Sequence, residues 1–335
     1  MNSVRSIFRE FTRKPEEKLN ILCSPTHERY ESILAKTGHN FYAYTATNAE
    51  GNALQGMKPW KEKYAALPGN YRLIGNRMPI DVDFDLVLSQ NKFGQFQALK
   101  PIADQLQIPL VSLEHTLPFP GWQPEILSAC KNSRGYKNVF ISDYSKNIWG
   151  IDGDVIEHAV DTDSFFPLDK EREPMCLSVV NDFIKRDWCC GFNIWQQVID
   201  GLPHKVYGDT PGLSKGLSPQ ELAIEYNSNL VFLNTSTISP IPTVLLEAMA
   251  CGMAVVSTST CMIPSVIEDG YNGFISNDVN VLREKIILLL HNPELARKIG
   301  QNAVETINKR FNIPKFVNKW NQVFKESAVY LNDRL

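Results

Sequence analysis

The sequence lacks a charge excess of either sign. It has 34 Lys and Arg against 37 Asp and Glu, net −3. That balance argues against a protein that wraps nucleic acid, which needs a broad basic surface, although a local basic groove could hide within it. Long hydrophobic runs are also missing. The longest, Ile286–Leu290, falls far short of the roughly 20 residues that span a bilayer. The first 18 residues carry charge throughout and hold no apolar stretch of about 7–15 residues like that of a signal peptide. A soluble, cytoplasmic protein is expected. The seven cysteines, at 23, 130, 176, 189, 190, 251 and 261, form no C-x-x-C and no Cys/His pair at zinc spacing. They are expected to be reduced and buried. There is no Walker A loop, no H-E-x-x-H and no G-x-S-x-G. Asp81-Val82-Asp83 does read as D-x-D, but it lies in a Pro- and Asp-rich stretch before a strand and is not taken as a metal site.

Apolar residues make up 43% of the chain, enough for two cores at about 150 residues each. Short apolar runs alternate with helical patterns from end to end, the layout of an α/β protein with parallel sheets. Strands are predicted at Leu19–Ser24, Phe41–Thr45, Phe84–Ser89, Leu110–Glu114, Val139–Ser142 and Val155–His158. A helix is predicted over Gln95–Leu106, whose apolar positions share one face. The charged, turn-prone stretch Leu168–Pro174 reads as a linker. Strands then resume at Met175–Val180, Lys205–Tyr207, Leu230–Leu233 and Ala254–Ser257, with a helix from about Val281 to His291. The next helix starts at Asn292-Pro293-Glu294: an Asn cap, a Pro in the first turn and an acid near the positive end of the dipole. The expected plan is two doubly wound, Rossmann-like domains over 1–167 and 168–310, with closing helices over 311–335 packing back across them. The cleft between the domains is the default ligand site.

The most informative stretch is Val231–Phe274. A buried strand ends in a small polar loop, Asn234–Thr237, followed by Ser239-Pro240-Ile241-Pro242. A helix then begins near Thr243 and stops before Gly252, which suits the left-handed position after a helix. The free N–H groups of Thr243, Val244, Leu245 and Leu246 would form an anion site suited to a diphosphate. Glu247, one turn in, could accept hydrogen bonds from sugar hydroxyls. A capped helix with an exposed glutamate is the competing reading.

This segment resembles the donor-binding segment of the GT-B glycosyltransferases, specifically the large retaining family numbered four. Leu246–Gly252 and Pro264–Gly273 match its "E-A-M-A-small-G" and "P-x-V-I-x-x-G-x-x-G" patterns. The family carries two glutamates; Glu247 matches the second, and Ser239 stands where the first holds a hydroxyl of the transferred sugar. After Met175–Val180 the family has an Arg and later a Lys that neutralise the donor phosphates. Asn181 takes the first position and Arg186 the second, with Lys185 beside it. Val206–Gly212 resembles the turn near the nucleotide base and places Gly208 there. Ile108–His115 resembles a segment whose histidine faces the sugar, so His115 is its counterpart. Ser142–Lys146 and Glu157–Pro167 match two further landmarks.

The resemblance implies a two-domain GT-B fold and a retaining sugar transfer from a nucleotide-diphosphate sugar, UDP- or GDP-linked, without metal or cofactor. His115, Arg186 and Glu247 would be catalytic, and Asn181, Lys185, Gly208, Ser239, Ile241, Thr243 and Val244 would bind the donor. The first loop departs from the family, with Ser24-Pro25-Thr26-His27-Glu28-Arg29-Tyr30 in place of a Gly-Gly turn. It points to a distinct acceptor, which the sequence does not name. The basic segment of Arg5, Arg9, Arg13, Lys14 and Lys18, alternating with Val4, Ile7, Phe8 and Phe11, could meet a membrane surface or nucleic acid, or be an ordinary surface helix. The sequence does not set the oligomeric state. A nucleotide-sugar epimerase and a non-catalytic sugar-nucleotide or glycan binder remain alternatives.

Overall fold

The computed structural model describes residues 17–45, 50, 57, 59–90 and 95–329. Most of the N-terminal basic segment, Arg5 to Lys14, lies outside them. The chain divides into two compact units, one built from residues 1–157 and 314–335, the other from 158–313.

The first unit is a seven-stranded parallel sheet of β1 (Asn20–Cys23), β2 (Asn40–Tyr44), β3 (Tyr71–Gly75), β4 (Leu86–Ser89), β5 (Leu110–Glu114), β6 (Lys137–Phe140) and β7 (Asp154–Val155). Its order is β3-β2-β1-β4-β5-β6-β7. Ile21 of β1 sits opposite both Phe41 and Leu86. The central strands are buried on both faces, which is why they read as continuous apolar runs. Helices α1 (Glu28–Leu34), α2 (Gln95–Leu106), α3 (Pro124–Asn132) and α4 (Asp143–Trp149) belong to its crossovers. Ser142 caps α4 by accepting from the Ser145 N–H at 3.0 Å, and Gly150 closes it in the left-handed conformation. The helix Ile313–Val329 returns to this unit. Its Phe316, Trp320 and Phe324 are buried, and the Trp320 indole donates to the Tyr30 hydroxyl at 3.0 Å.

The second unit is a five-stranded parallel sheet of β8 (Glu173–Val179), β9 (His204–Tyr207), β10 (Asn229–Asn234), β11 (Ala254–Ser257) and β12 (Phe274–Ile275), in the order β12-β11-β10-β8-β9. Its helices are α5 (Asp187–Cys190), α6 (Phe192–Ile199), α7 (Pro219–Ser228), α8 (Thr243–Ala250), α9 (Ile263–Val266), α10 (Val279–His291) and α11 (Pro293–Arg310). The predicted start of α11 holds, with Asn292 accepting from the Leu295 N–H at 3.0 Å. Apolar clusters cover both sheet faces, around Leu245, Leu246 and Met249 on one and Trp195, Val198 and Ile286 on the other.

Three sequence expectations change. The division falls at Glu157/His158 rather than after 167, because 158–167 packs with the second unit: Val160 N–H donates to the Phe311 carbonyl at 2.9 Å, and Phe165 lies against Tyr226. The stretch Leu168–Pro174 is not a loose linker. Leu168 N–H donates to Asn227 Oδ1, and Arg172 donates to the carbonyls of Tyr226, Asn229 and Cys251. Strands β3 and β12 were not foreseen; each is a sheet edge, where partial exposure weakens the apolar pattern.

All seven cysteines are free thiols, six of them buried. Asp81 and Asp83 are exposed ahead of β4, and no group of three or more metal-ligating side chains occurs among the described residues. No helix among them is long and apolar enough to cross a membrane.

Candidate functional site

In the second unit the strand order turns between β8 and β10. Ligands of doubly wound sheets bind outside the carboxyl ends at such a switch. The segments leaving β8 and β10 carry most of the predicted donor residues. Asn181 leaves β8 exposed, and its side-chain oxygen accepts from the Asp209 N–H at 2.8 Å. Asp182, left-handed at φ 51, turns the chain so that the Arg186 N–H donates to the Asp182 carbonyl at 2.8 Å. Lys185 and Arg186 end up exposed on that turn, with Arg186 leading into α5. Two basic side chains in solvent at the end of a central strand are suited to an anion.

Gly208 is what allows the turns after β8 and β9 to touch. A Cβ there would lie 1.9 Å from the Val180 carbonyl oxygen, and its φ is +125. Gly191 does the same on the other side, where a Cβ would meet the Thr235 carbonyl at 2.1 Å. The loop after β10 is fastened to α5: Thr237 N–H donates to the Cys189 carbonyl at 2.9 Å, and Thr235 Oγ1 donates to the Cys190 carbonyl at 3.0 Å. The two thiols lie 3.7 Å apart. The Cys190 thiol, helped by the Arg186 charge, lowers Cys189 below the ordinary thiol range, while Cys190 is pushed up.

Ser239 is half-buried, Ile241 buried, Thr243 exposed and Val244 half-buried. Helix α8 starts at Thr243 as predicted, but its first turn is tighter than expected. The Leu245 N–H donates to the Pro242 carbonyl at 3.2 Å, so the row of free amides foreseen over 243–246 is interrupted there. Thr243 and Val244 amides remain at the helix end, without acceptors in the helix itself. Glu247 is 6% exposed, which removes the reading of a solvated glutamate. Its Oε2 accepts from the Tyr226 hydroxyl at 3.2 Å. Tyr226 and Gly191 were missed in the sequence, and Thr235 was read only as part of the polar loop Asn234–Thr237. Nothing local marks them, because each acts through a residue far along the chain.

His115 belongs to the first unit, at the carboxyl end of β5, and is 8% exposed. His27 and Tyr30 meet it edge-on, with ring centroids at 4.7 and 4.8 Å. The unusual first loop is held by Glu31, whose Oε2 accepts from the Thr26 and His27 N–H groups at 2.8 and 2.9 Å. Its Oε1 accepts from the Tyr71 hydroxyl at 2.5 Å and from Gln90 Nε2 at 2.8 Å. Burial still pushes the Glu31 carboxyl upward.

Residues 211–306 match the family model described as "Glycosyl transferases group 1". Over 83 residues the chain is 35% identical to N-acetyl-alpha-D-glucosaminyl L-malate synthase of Bacillus anthracis, covering 24% of this chain and 22% of that protein. Over 105 residues it is 30% identical to trehalose synthase of Pyrococcus horikoshii, covering 31% and 25%. The matched stretch thus spans about a quarter of the length of these relatives. Among solved structures, Anabaena HepE in complex with UDP is similar at a TM-score of 0.72 and 14% identity, over 92% of this chain and all of that one. Sucrose-phosphate synthase of Thermosynechococcus elongatus is similar at 0.69 and 14%, over 92% and 99%. At that identity the likeness concerns the fold. The chain has the GT-B fold expected from its motifs, and within it residues 211–306 match the group 1 glycosyl transferase model.

Proposed function

We propose that the chain is a retaining glycosyltransferase of family four that takes a UDP- or GDP-linked sugar, without a metal or cofactor, and passes the sugar to an acceptor. The observation that carries this is the pair of loops at the β8/β10 switch: the turn after β8 exposes Lys185 and Arg186, and the loop after β10, which leads into α8, is fastened to α5 just beyond them. HepE, a protein of similar fold, binds UDP, which supports a nucleotide at such a site.

In this reading the second unit holds the donor. Arg186 and Lys185 take the diphosphate and stabilise the negative charge that grows on it as the C1–O bond breaks. The Thr243 and Val244 amides add fixed positive dipoles. Asn181 and Gly208 shape the turn beside the nucleoside, Ser239 and Ile241 line the approach to the sugar, and Glu247 accepts from donor hydroxyls. The first unit takes the acceptor, and His115 is its catalytic residue.

The test is calorimetric titration with UDP and GDP, followed by release of free nucleotide from a panel of UDP- and GDP-sugars. One of the two nucleotides should bind, and slow hydrolysis of its α-linked sugar should yield the α anomer first. Binding without hydrolysis or transfer from any donor would favour a binding module. Release of an altered nucleotide sugar with no acceptor present would favour an epimerase.

A further inference from the structure

His115 stands between Glu114 and Thr116, which the buried Glu114 carboxylate ties together. Glu114 Oε1 accepts from the Thr116 N–H at 3.0 Å and from Thr116 Oγ1 at 2.7 Å. This side-chain bond to the backbone two residues on bends the chain where β5 ends. Glu114 Oε2 accepts from Arg134 Nη2 at 2.6 Å, and the two side chains are 0% and 3% exposed. The Thr116 carbonyl in turn accepts from the Trp149 indole at 2.9 Å.

Arg134 is placed with equal care. The Gly135 N–H next to it donates to Ser112 Oγ of β5 at 2.8 Å, and a Cβ on Gly135 would lie 2.0 Å from the Leu110 carbonyl. The guanidinium lies over the rings of Trp149, Phe96 and Phe140 at 4.6, 5.1 and 5.5 Å. Its Nε and Nη1 have no hydrogen-bond partner among the described residues. As a device for stability this is a poor bargain, since an apolar pair would fill the space without desolvating two charges. An apolar pair would not hold both donors of Thr116.

We propose that Glu114 and Arg134 are positioning residues that fix the turn carrying His115 for sugar transfer. The proposal rests on the glycosyltransferase reading for its catalytic meaning, but the hold on His115 is testable without it. The decisive variant is the double substitution Glu114→Leu/Arg134→Met, which removes both charges together. The His115 ring signal in a ¹H–¹³C spectrum is assigned by its loss in His115→Asn. In the folded double variant that signal should shift by more than its linewidth, or double, while His204 and His291 of the other unit stay in place. Arg134→Lys, which keeps a charge for Glu114, should restore most of the wild-type signal.

Turnover of the UDP- or GDP-sugar that the wild-type chain hydrolyses best should fall in kcat by about tenfold or more, with KM within about threefold. A His115 signal at its wild-type position overturns the proposal, as does unchanged kcat in a variant whose His115 signal has moved. Should the double variant not fold, Thr116→Val decides: it removes one of Thr116's two hydrogen bonds to Glu114, and an unmoved His115 signal is again the overturning result. If the wild-type chain hydrolyses no donor, the transferase reading fails while the ring signal still reports on the hold.

Discussion

Replacing Gly208 with alanine should be among the most damaging single-methyl changes in the second unit. The added Cβ would sit 1.9 Å from the Val180 carbonyl oxygen, 2.4 Å from its carbon and 3.0 Å from the Asn181 nitrogen. All three are backbone atoms, so no side chain can swing aside. Ordinary contact begins at 3.4 Å, so the turns after β8 and β9 must part by 3.4 − 1.9 = 1.5 Å. Three hydrogen bonds of 2.8 Å cross that seam: Val180 N–H to Tyr207 O, Asp182 N–H to Asp209 O, and Asp209 N–H to Asn181 Oδ1. Opened by 1.5 Å they cease to be bonds. At about 0.5–1.5 kcal/mol each, their loss costs about 1.5–4.5 kcal/mol. The left-handed backbone adds about 1–2 kcal/mol for any residue with a Cβ. Urea unfolding of the whole chain reads the stability, and UDP or GDP titration reads the site. Gly212→Ala is the control, since Gly212 is also left-handed, at φ +81, but has nothing within 4 Å of a built Cβ. It should lose only the backbone part. If Gly208→Ala and Gly212→Ala behave alike, the seam does not hold the site together.

Arg186→Ala should weaken binding of the preferred nucleoside diphosphate by about 1.5–3 kcal/mol, roughly 10- to 150-fold in Kd; unchanged affinity removes Arg186 from the site. Tyr226→Phe deletes one donor to the buried Glu247 carboxylate while keeping its ring against Phe165 and Phe232. It should cost about 1.5–3 kcal/mol in denaturant unfolding, and identical midpoints would show that the hydroxyl is idle. Glu31→Gln tests the sign of a buried acid. Burial raises the folded carboxyl above its ordinary 4.5, so its contribution to stability is full below that pH and is lost as pH rises through the folded value. Wild type should therefore lose stability relative to Glu31→Gln from about pH 4.5 upward, and parallel curves would contradict this. Ser239→Glu puts a carboxylate near the diphosphate; turnover with the true donor should fall if the site is built around serine, and a gain would mean that the site lacks only the family's acid.

The strands at the sheet centres were legible because burial on both faces leaves a continuous apolar run, and β5 and β11 occupy the predicted residues. A helix start was legible where its cap is local, as at Asn292. The edge strand β3 was not, since Arg72 and Leu73 face outward and break the pattern. The end of the first unit was misplaced because Leu168–Pro174 has a linker's composition, while its fixing bonds go to Asn227, Asn229 and Cys251, far along the chain. In the candidate site, the sequence placed Arg186 and Ser239 in the loops after β8 and β10 and Thr243 and Glu247 in the first turns of α8, where the structure has them. It gave no access to Tyr226, which meets Glu247 across two helices.

The loops at the β8/β10 switch are joined to one another before any ligand arrives. The Cys189 carbonyl receives the Thr237 and Ile238 amides, and the Ser236 carbonyl receives the hydroxyls of Thr258 and Thr260. The Pro240 carbonyl receives the Met262 amide, so the segments after β8, β10 and β11 form one connected piece. In the proposed reading, a diphosphate entering such a site meets loop backbone whose ordering cost was met on folding, which leaves more of each bond for affinity. The same connectivity limits what Ser239 can become. It lies between Thr237, bonded to α5, and Pro240, bonded to Met262, so a longer side chain there cannot be accommodated by moving the loop as a whole. It must find its own rotamer.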